Sequence, residues 1–218
     1  MLKLGEKGAI PQRDKETYAI APHIPCGVVT PELLRRLADV AEKYDAAALK
    51  ITGATRIAIV GIREEHIDEA WEDLGMGTGH AVGLCVRSVR ACPGNSYCKL
   101  GQQDALGVGL KLDAQYHGME LPGKFKMSVS GCPLNCAESW VRDIGLIGKK
   151  EGWSLTVGGN VGATPRIGQE ILTDLDEGQA LASIEKIIQF YKQEAKRGER
   201  IGKMIDRLGL EPLSAAVS

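Results

Sequence analysis

The chain has 218 residues, enough for one large domain or two small ones with a sizeable core. At 44% hydrophobic and 25% charged it falls outside the disordered class, and a net charge of -1 excludes a surface that attracts nucleic acid or anionic membrane as a whole. No apolar run approaches the ~18 residues of a membrane helix, and residues 1–7 lack the apolar stretch of a signal peptide; a cytoplasmic chain is expected, whose six cysteines are ligands or free thiols rather than disulfides.

Residues 1–15 are polar, without a period, and read as an arm. Residues 17–24 are predicted to form a strand ending near Pro25-Cys26-Gly27. Thr30 then caps a helix with Pro31 at its first position and Leu33, Leu34, Leu37, Val40 and Ala41 on the helical period. Apolar runs at 48–52 and 56–62 flank Gly53-Ala54 as a hairpin, and a second helix over 64–74 puts Ile67, Ala70, Trp71 and Leu74 on one face. The order β-α-β-β-α is that of a ferredoxin-like half-sandwich. The glycine-rich run at 75–83 follows a helix, not a strand, and contains no full G-x-G-x-x-G, so the context of a dinucleotide site is absent. It reads as a linker whose glycines allow a close approach to a ligand.

A strand over 84–91 runs into Cys92, and a helix is expected from 97 to 112. A strand over 125–130 runs into Cys132, followed by a hairpin of 141–147 with 153–157 and a second glycine-rich loop at 158–166. An amphipathic helix over 177–196 turns Ala180, Leu181, Ile184, Ile187, Ile188 and Tyr191 inward, and a short helix covers 200–208. The fold class is α+β, with an N-terminal arm and ferredoxin-like half-domain over 1–78 and an α/β cofactor domain over 79–218.

Four cysteines fall in two pairs, Cys92-x5-Cys98 and Cys132-x3-Cys136, and each pair opens with Cys-Pro-x-Asn. Proline fixes φ just after the first thiol, and the small polar residues behind it leave backbone N–H groups free to face something electron-rich. Four thiolates from two loops can hold one iron–sulfur cube. They can also hold zinc, although x5 lies outside the usual zinc spacing, and buried unligated thiols are the third reading. Each pair is expected after a strand and at or before a helix start, where the helix dipole favours anions. Cys26 and Cys85 read as small buried hydrophobes, and His66, His80 and His117 carry no assigned role.

Basic residues stand just ahead of each pair: Arg87 and Arg90 before Cys92, Lys124 and Lys126 before Cys132. Residues two apart on a strand share a face, so Lys124 and Lys126 point one way and Phe125 the other. They read either as a solvated strand edge or as a site for a small oxyanion or a polycarboxylate.

The cysteine pairs, Lys124-Phe125-Lys126 ahead of Ser130-Gly131-Cys132-Pro133, and the later Gly158-Gly159-Asn160 resemble the sirohaem-dependent sulfite and nitrite reductases. The stretch at 50–57 resembles their ferredoxin-like half-domain, and the short length is similar to the low-molecular-weight, assimilatory-type sulfite reductases. The resemblance implies a [4Fe-4S] cluster on Cys92, Cys98, Cys132 and Cys136, with the Cys136 thiolate shared with the sirohaem iron. It implies substrate contacts from Lys124, Lys126 and Arg87, and cofactor contacts from Arg56, Arg90, Asn160, Arg166 and His23. Larger members carry arginine where this chain has Ala21-Pro22-His23, so one basic contact is replaced by His23 or missing. The implied reaction is the six-electron reduction of sulfite to sulfide. The alternatives are reduction of nitrite to ammonia on the same cofactors, and a non-catalytic iron–sulfur carrier or zinc module. Without a nicotinamide or flavin motif, electrons are expected from an external one-electron donor such as a ferredoxin. Larger members hold two copies of the fold and this chain one, so a twofold homodimer with shared sites is possible.

Overall fold

The computed structural model describes residues 1–217, and the chain divides into two compact units, residues 1–83 and 84–218. In the first, β1 (Ala9–Pro11), β2 (Thr17–Ile20), β3 (Ala48–Ile51) and β4 (Ile57–Arg63) form an antiparallel sheet in the order β1-β2-β4-β3. Helices α1 (Pro31–Lys43) and α2 (Ile67–Leu74) supply the rest of the expected β-α-β-β-α order. Thr30 caps α1 by accepting the Leu33 N–H, with Pro31 behind it where its missing donor costs nothing. Tyr18, Ile20, Leu37, Val40, Ile59, Ile62, Ile67 and Leu74 make the core between sheet and helices.

The N-terminal arm is more ordered than its composition predicts. Ala9 pairs with Ile20, the Trp71 indole donates to the Lys7 carbonyl at 2.8 Å, and the Tyr18 hydroxyl accepts the Leu2 N–H and donates to Glu64. Polar tips of buried aromatics hold this segment, so no apolar period marks it.

The second unit is built on a five-stranded sheet in the order β5 (Val86–Ala91), β6 (Phe125–Ser130), β7 (Ile144–Gly148), β8 (Trp153–Val157) and β9 (Gln169–Leu175). The first three are parallel to one another, and β8 and β9 run antiparallel. Strands β7 and β8 are buried at every position, as expected of central strands covered on both faces. Helices α3 (Gly94–Tyr97), α4 (Ala105–Tyr116), α5 (Glu177–Glu194), α6 (Ile201–Leu208) and α7 (Glu211–Val217) complete the unit. Asp176 and Gln179 form a capping box at the start of α5, whose buried face is Ala180, Ile184, Ile187, Ile188 and Tyr191.

Two departures from the sequence reading have local causes. The helix expected over 97–112 is broken after Tyr97, because the N–H groups of Gln102 and Gln103 both donate to the Gly131 carbonyl (2.8 and 3.0 Å) instead of to their own helix. It restarts at Ala105 under an Asp104 cap that accepts the Gly107 N–H. Strand β9 lies at the edge of the sheet and is mostly exposed, so it lacks the apolar alternation that would announce it. Among the described residues no helix is long and apolar enough to cross a membrane.

Candidate active site

The cysteine loops meet because β5 and β6 are adjacent and parallel. Ala91 is in register with Val129, so both loops leave the sheet at its carboxyl edge, where ligands of parallel sheets bind. The Cys92 N–H donates to the Val129 carbonyl at 3.1 Å, and the Gly131 N–H donates to the Cys92 sulfur at 3.1 Å.

Two glycines let these loops touch backbone to backbone. A Cβ on Gly131 would lie 2.7 Å from the Gly94 Cα, and one on Gly94, at φ +56, would lie 2.5 Å from the Ala105 nitrogen. Only glycine fits both positions.

The second cysteine loop is shaped by Asn135, in the left-handed region at φ 56. Its Oδ1 accepts the Ser139 N–H at 2.7 Å and the Ser130 hydroxyl at 3.2 Å, and the Ser130 and Ser139 hydroxyls bond each other at 2.9 Å. These buried polar groups satisfy one another and fix the turn that carries Cys136. The Cys132–Cys136 loop is followed by a 3-10 turn at Ser139–Val141 rather than the expected helix start.

Cys132 is buried, Cys92 is half-buried, and Cys98 and Cys136 are exposed. Among the described residues no three His, Cys, Asp or Glu side chains are gathered as they would be around a single ion. A four-iron cube instead takes each thiolate on a separate iron. The all-thiol donor set is the soft one that iron–sulfur clusters use, so the residues present fit the group.

The same unit holds a concentration of cations about the start of β6. Arg87, Lys124, Lys126, Arg142 and Arg200 act on one another's charge. Burial pushes the Lys126 ammonium down, and Lys124, Arg142 and Arg200 push it further, to about 8. Burial, then Arg87 and Arg200, likewise lower Lys124. Asp143, fully buried and bonded to Arg200, opposes both shifts. Such an excess of partly desolvated cations suits an oxyanion or a molecule rich in carboxylates, the chemistry that sirohaem presents.

Residues 82–218 match the nitrite and sulphite reductase 4Fe-4S domain, and residues 10–77 match the nitrite/sulfite reductase ferredoxin-like half domain. The chain belongs to the nitrite and sulfite reductase family. It is 44% identical over 211 residues to the assimilatory-type sulfite reductase of Nitratidesulfovibrio vulgaris, with 97% of each chain covered. It is 36% identical over 202 residues to the NAD(P)H nitrite reductase of Bacillus subtilis, covering 93% of this chain but 25% of that one. Dissimilatory sulfite reductase I superposes with a TM-score of 0.82 at 16% identity, over 92% of this chain and 69% of its own, a likeness of fold.

Within this family fold the remaining sequence candidates divide by what holds them. Arg90 forms an ion pair with Glu138 at 2.7 Å, and Arg142 reaches the same carboxylate at 2.5 Å, so both cations are tied to the residue two after Cys136. Asn160 and Arg166 line a cavity of about 390 Å³ with Asp143, Arg200 and Asp206; Arg166 is paired to Asp206, and Asn160 accepts from Arg200. Arg56 and His23 belong to the first unit. Arg56 is 2% exposed and donates to the carbonyls of Ala21 and Gly79. A Cβ on Gly79 would collide with the Ala21 oxygen at 2.6 Å, so the glycine-rich run makes its close approach to this arginine and strand end. Sequence reasoning missed Arg142, Asp143 and Arg200. Arg142 and Asp143 carry no periodic or motif signal, and Arg200 is 57 residues from the aspartate it grips.

Proposed function

We propose that this protein is an assimilatory-type sulfite reductase, reducing sulfite to sulfide with six electrons. The observation that carries the reading is the match to a sulfite reductase over 97% of both chains at 44% identity, by a chain whose two cysteine loops meet at one sheet edge and whose second unit also holds a cationic group. Its cofactors are a [4Fe-4S] cluster and sirohaem, which when bound supply the path and the binding point for one-electron transfers. Cys92, Cys98, Cys132 and Cys136 would hold the cluster, and Cys136, in the turn fixed by Asn135, would be the ligand that also serves the sirohaem.

Lys124, Lys126 and Arg87 face the oxyanion. Their charges bind it, and they offset the negative charge that develops as each S–O bond breaks and its oxygen leaves as water. A Lys126 ammonium with a pKa of about 8 is charged at neutral pH yet gives up its proton readily, the balance a general acid needs. Arg90, Asn160 and Arg166, with Arg56 and His23 of the first unit, remain candidates for the haem carboxylates. Electrons come from an external one-electron donor, a ferredoxin being the expected kind, and the protein acts in the cytoplasm.

Nitrite reduction on the same cofactors is the second reading, favoured by relatives such as the B. subtilis enzyme; that enzyme, however, is about four times the length of the matched region. Steady-state rates with sulfite and nitrite under one chemical donor separate the two. A kcat/KM for nitrite above that for sulfite would reverse the assignment.

A further inference from the structure

Asp143 is 0% exposed and stands at the centre of a set of contacts that the reaction as described does not use. Its Oδ2 accepts the backbone N–H of Lys126 at 2.8 Å. Arg200 closes a fork on it, Nε to Oδ1 at 3.0 Å and a terminal nitrogen to Oδ2 at 2.5 Å. Arg200 stands at the N-cap of α6, and its other terminal nitrogen donates to Asn160. The Asp143 carbonyl accepts the Gly158 N–H at 2.9 Å. Asp143 thus joins β6, the start of β7, the loop after β8 and the N-cap of α6, its carboxylate taking the Lys126 N–H and Arg200 and its carbonyl taking Gly158.

A buried ion pair is seldom worth keeping for stability alone, because apolar residues of the same volume serve as well. What faces this one gives it a second use. Around Lys126 stand Lys124, just before β6, Arg142, the neighbour of Asp143, and Arg200 from α6; Arg87 of β5 faces Lys124, and Tyr191 of α5 faces Asp143. Among the charged groups acting on Lys126, Asp143 is the one that favours its ammonium.

We infer that Asp143 is a positioning residue for Lys126: its carboxylate, forked by Arg200, fixes the Lys126 backbone and supplies the negative charge that holds the Lys126 ammonium among Lys124, Arg142 and Arg200. The inference rests on the reading of this basic group as the anion site. Burial pushes the Asp143 carboxyl up, and the Arg200 fork, the Lys126 N–H and the nearby ammonium pull it back. Arg200 therefore acts on the anion through Asp143 and Lys126, which makes the start of α6 part of the site's supporting structure.

The test is nitrite binding to the cofactor-loaded enzyme, read from the haem absorption spectrum across pH; nitrite keeps one charge through the neutral and alkaline range. In the wild type, affinity should fall several-fold with rising pH through an inflection near 8. Asp143→Asn keeps the shape and an oxygen for the Lys126 N–H but removes the charge. Its inflection should move to lower pH, with several-fold weaker binding at pH 8. A folded Asp143→Asn enzyme with the wild-type inflection overturns the inference. If that variant does not fold, pH-difference infrared spectroscopy of the wild type decides. Asp143 must stay ionised on both sides of the inflection, so a buried carboxylic-acid band that vanishes across it overturns the inference, and its absence supports it. Lys126→Gln separates the two levels: if it leaves nitrite binding and the inflection untouched, the anion-site reading has failed, whereas silence of Asp143→Asn alone defeats only the role of Asp143.

Discussion

Replacing Lys126 with methionine should make the protein more stable and less active. The Lys126 ammonium sits at about 8 rather than 10.5, mainly through burial and then through Lys124, Arg142 and Arg200. A lysine whose folded value is depressed costs stability while it is charged in both states, and stability rises with pH wherever the unfolded chain holds more protons. The cost is present in full below pH 8 and disappears as pH rises from 8 towards 10.5. A shift of this size corresponds to about 3 kcal/mol at 1.36 kcal/mol per unit, and screening at a half-buried side chain reduces it to roughly 2 kcal/mol. Methionine keeps the unbranched stem without the charge. Lys126→Met should therefore unfold several degrees higher than wild type at pH 7, with the gain gone above pH 10.5, and should lose on the order of a hundredfold in kcat/KM for sulfite. Thermal unfolding at a series of pH values, with turnover measured on the same preparations, checks both. A variant less stable than wild type at pH 7, or a gain that does not shrink with rising pH, would refute the reasoning.

Cys98→Ser and Cys132→Ser should lose iron and acid-labile sulfide together, because the ligands tie two loops and binding energy is folding energy; Cys85→Ser should lose neither, and equal losses in all three would show the ligand set to be wrong. Gly131→Ala should cost cluster content with little change in helix signal, since its Cβ would press on Gly94 at 2.7 Å; full iron occupancy would mean the two loops can separate. If a twofold dimer shares its sites, a Cys136→Ser chain mixed with a Lys124→Ala/Lys126→Ala chain should regain activity after subunit exchange. A monomer by light scattering with no recovery on mixing would exclude the shared site.

The parts legible in the sequence were those with a local code. The two cysteine loops, each just past a strand, stand out by the spacing of Cys92, Cys98, Cys132 and Cys136. The helix from Pro31 is written in its cap and period, and β6 is found over the six residues expected, Phe125–Ser130. What the sequence hid depends on partners far along the chain. Gln102 and Gln103 leave their helix for a carbonyl some thirty residues away in sequence, on Gly131. Asp143 and Arg200 are ordinary surface residues by type, and become a pair with the carboxylate buried only when Arg200, at the start of α6, reaches it. The arm is held by the tips of Trp71 and Tyr18, which look from the sequence like core residues and nothing more.

The central claim, that this chain carries out the whole six-electron reduction of sulfite, is tested most directly by counting electrons. Purified enzyme given sulfite and a titrated one-electron donor should consume six reducing equivalents for each sulfide released, and Lys126→Met should slow that rate without changing the ratio. Fewer than six equivalents consumed, with partly reduced sulfur as the product, or donor oxidation with no sulfide at all, would contradict it.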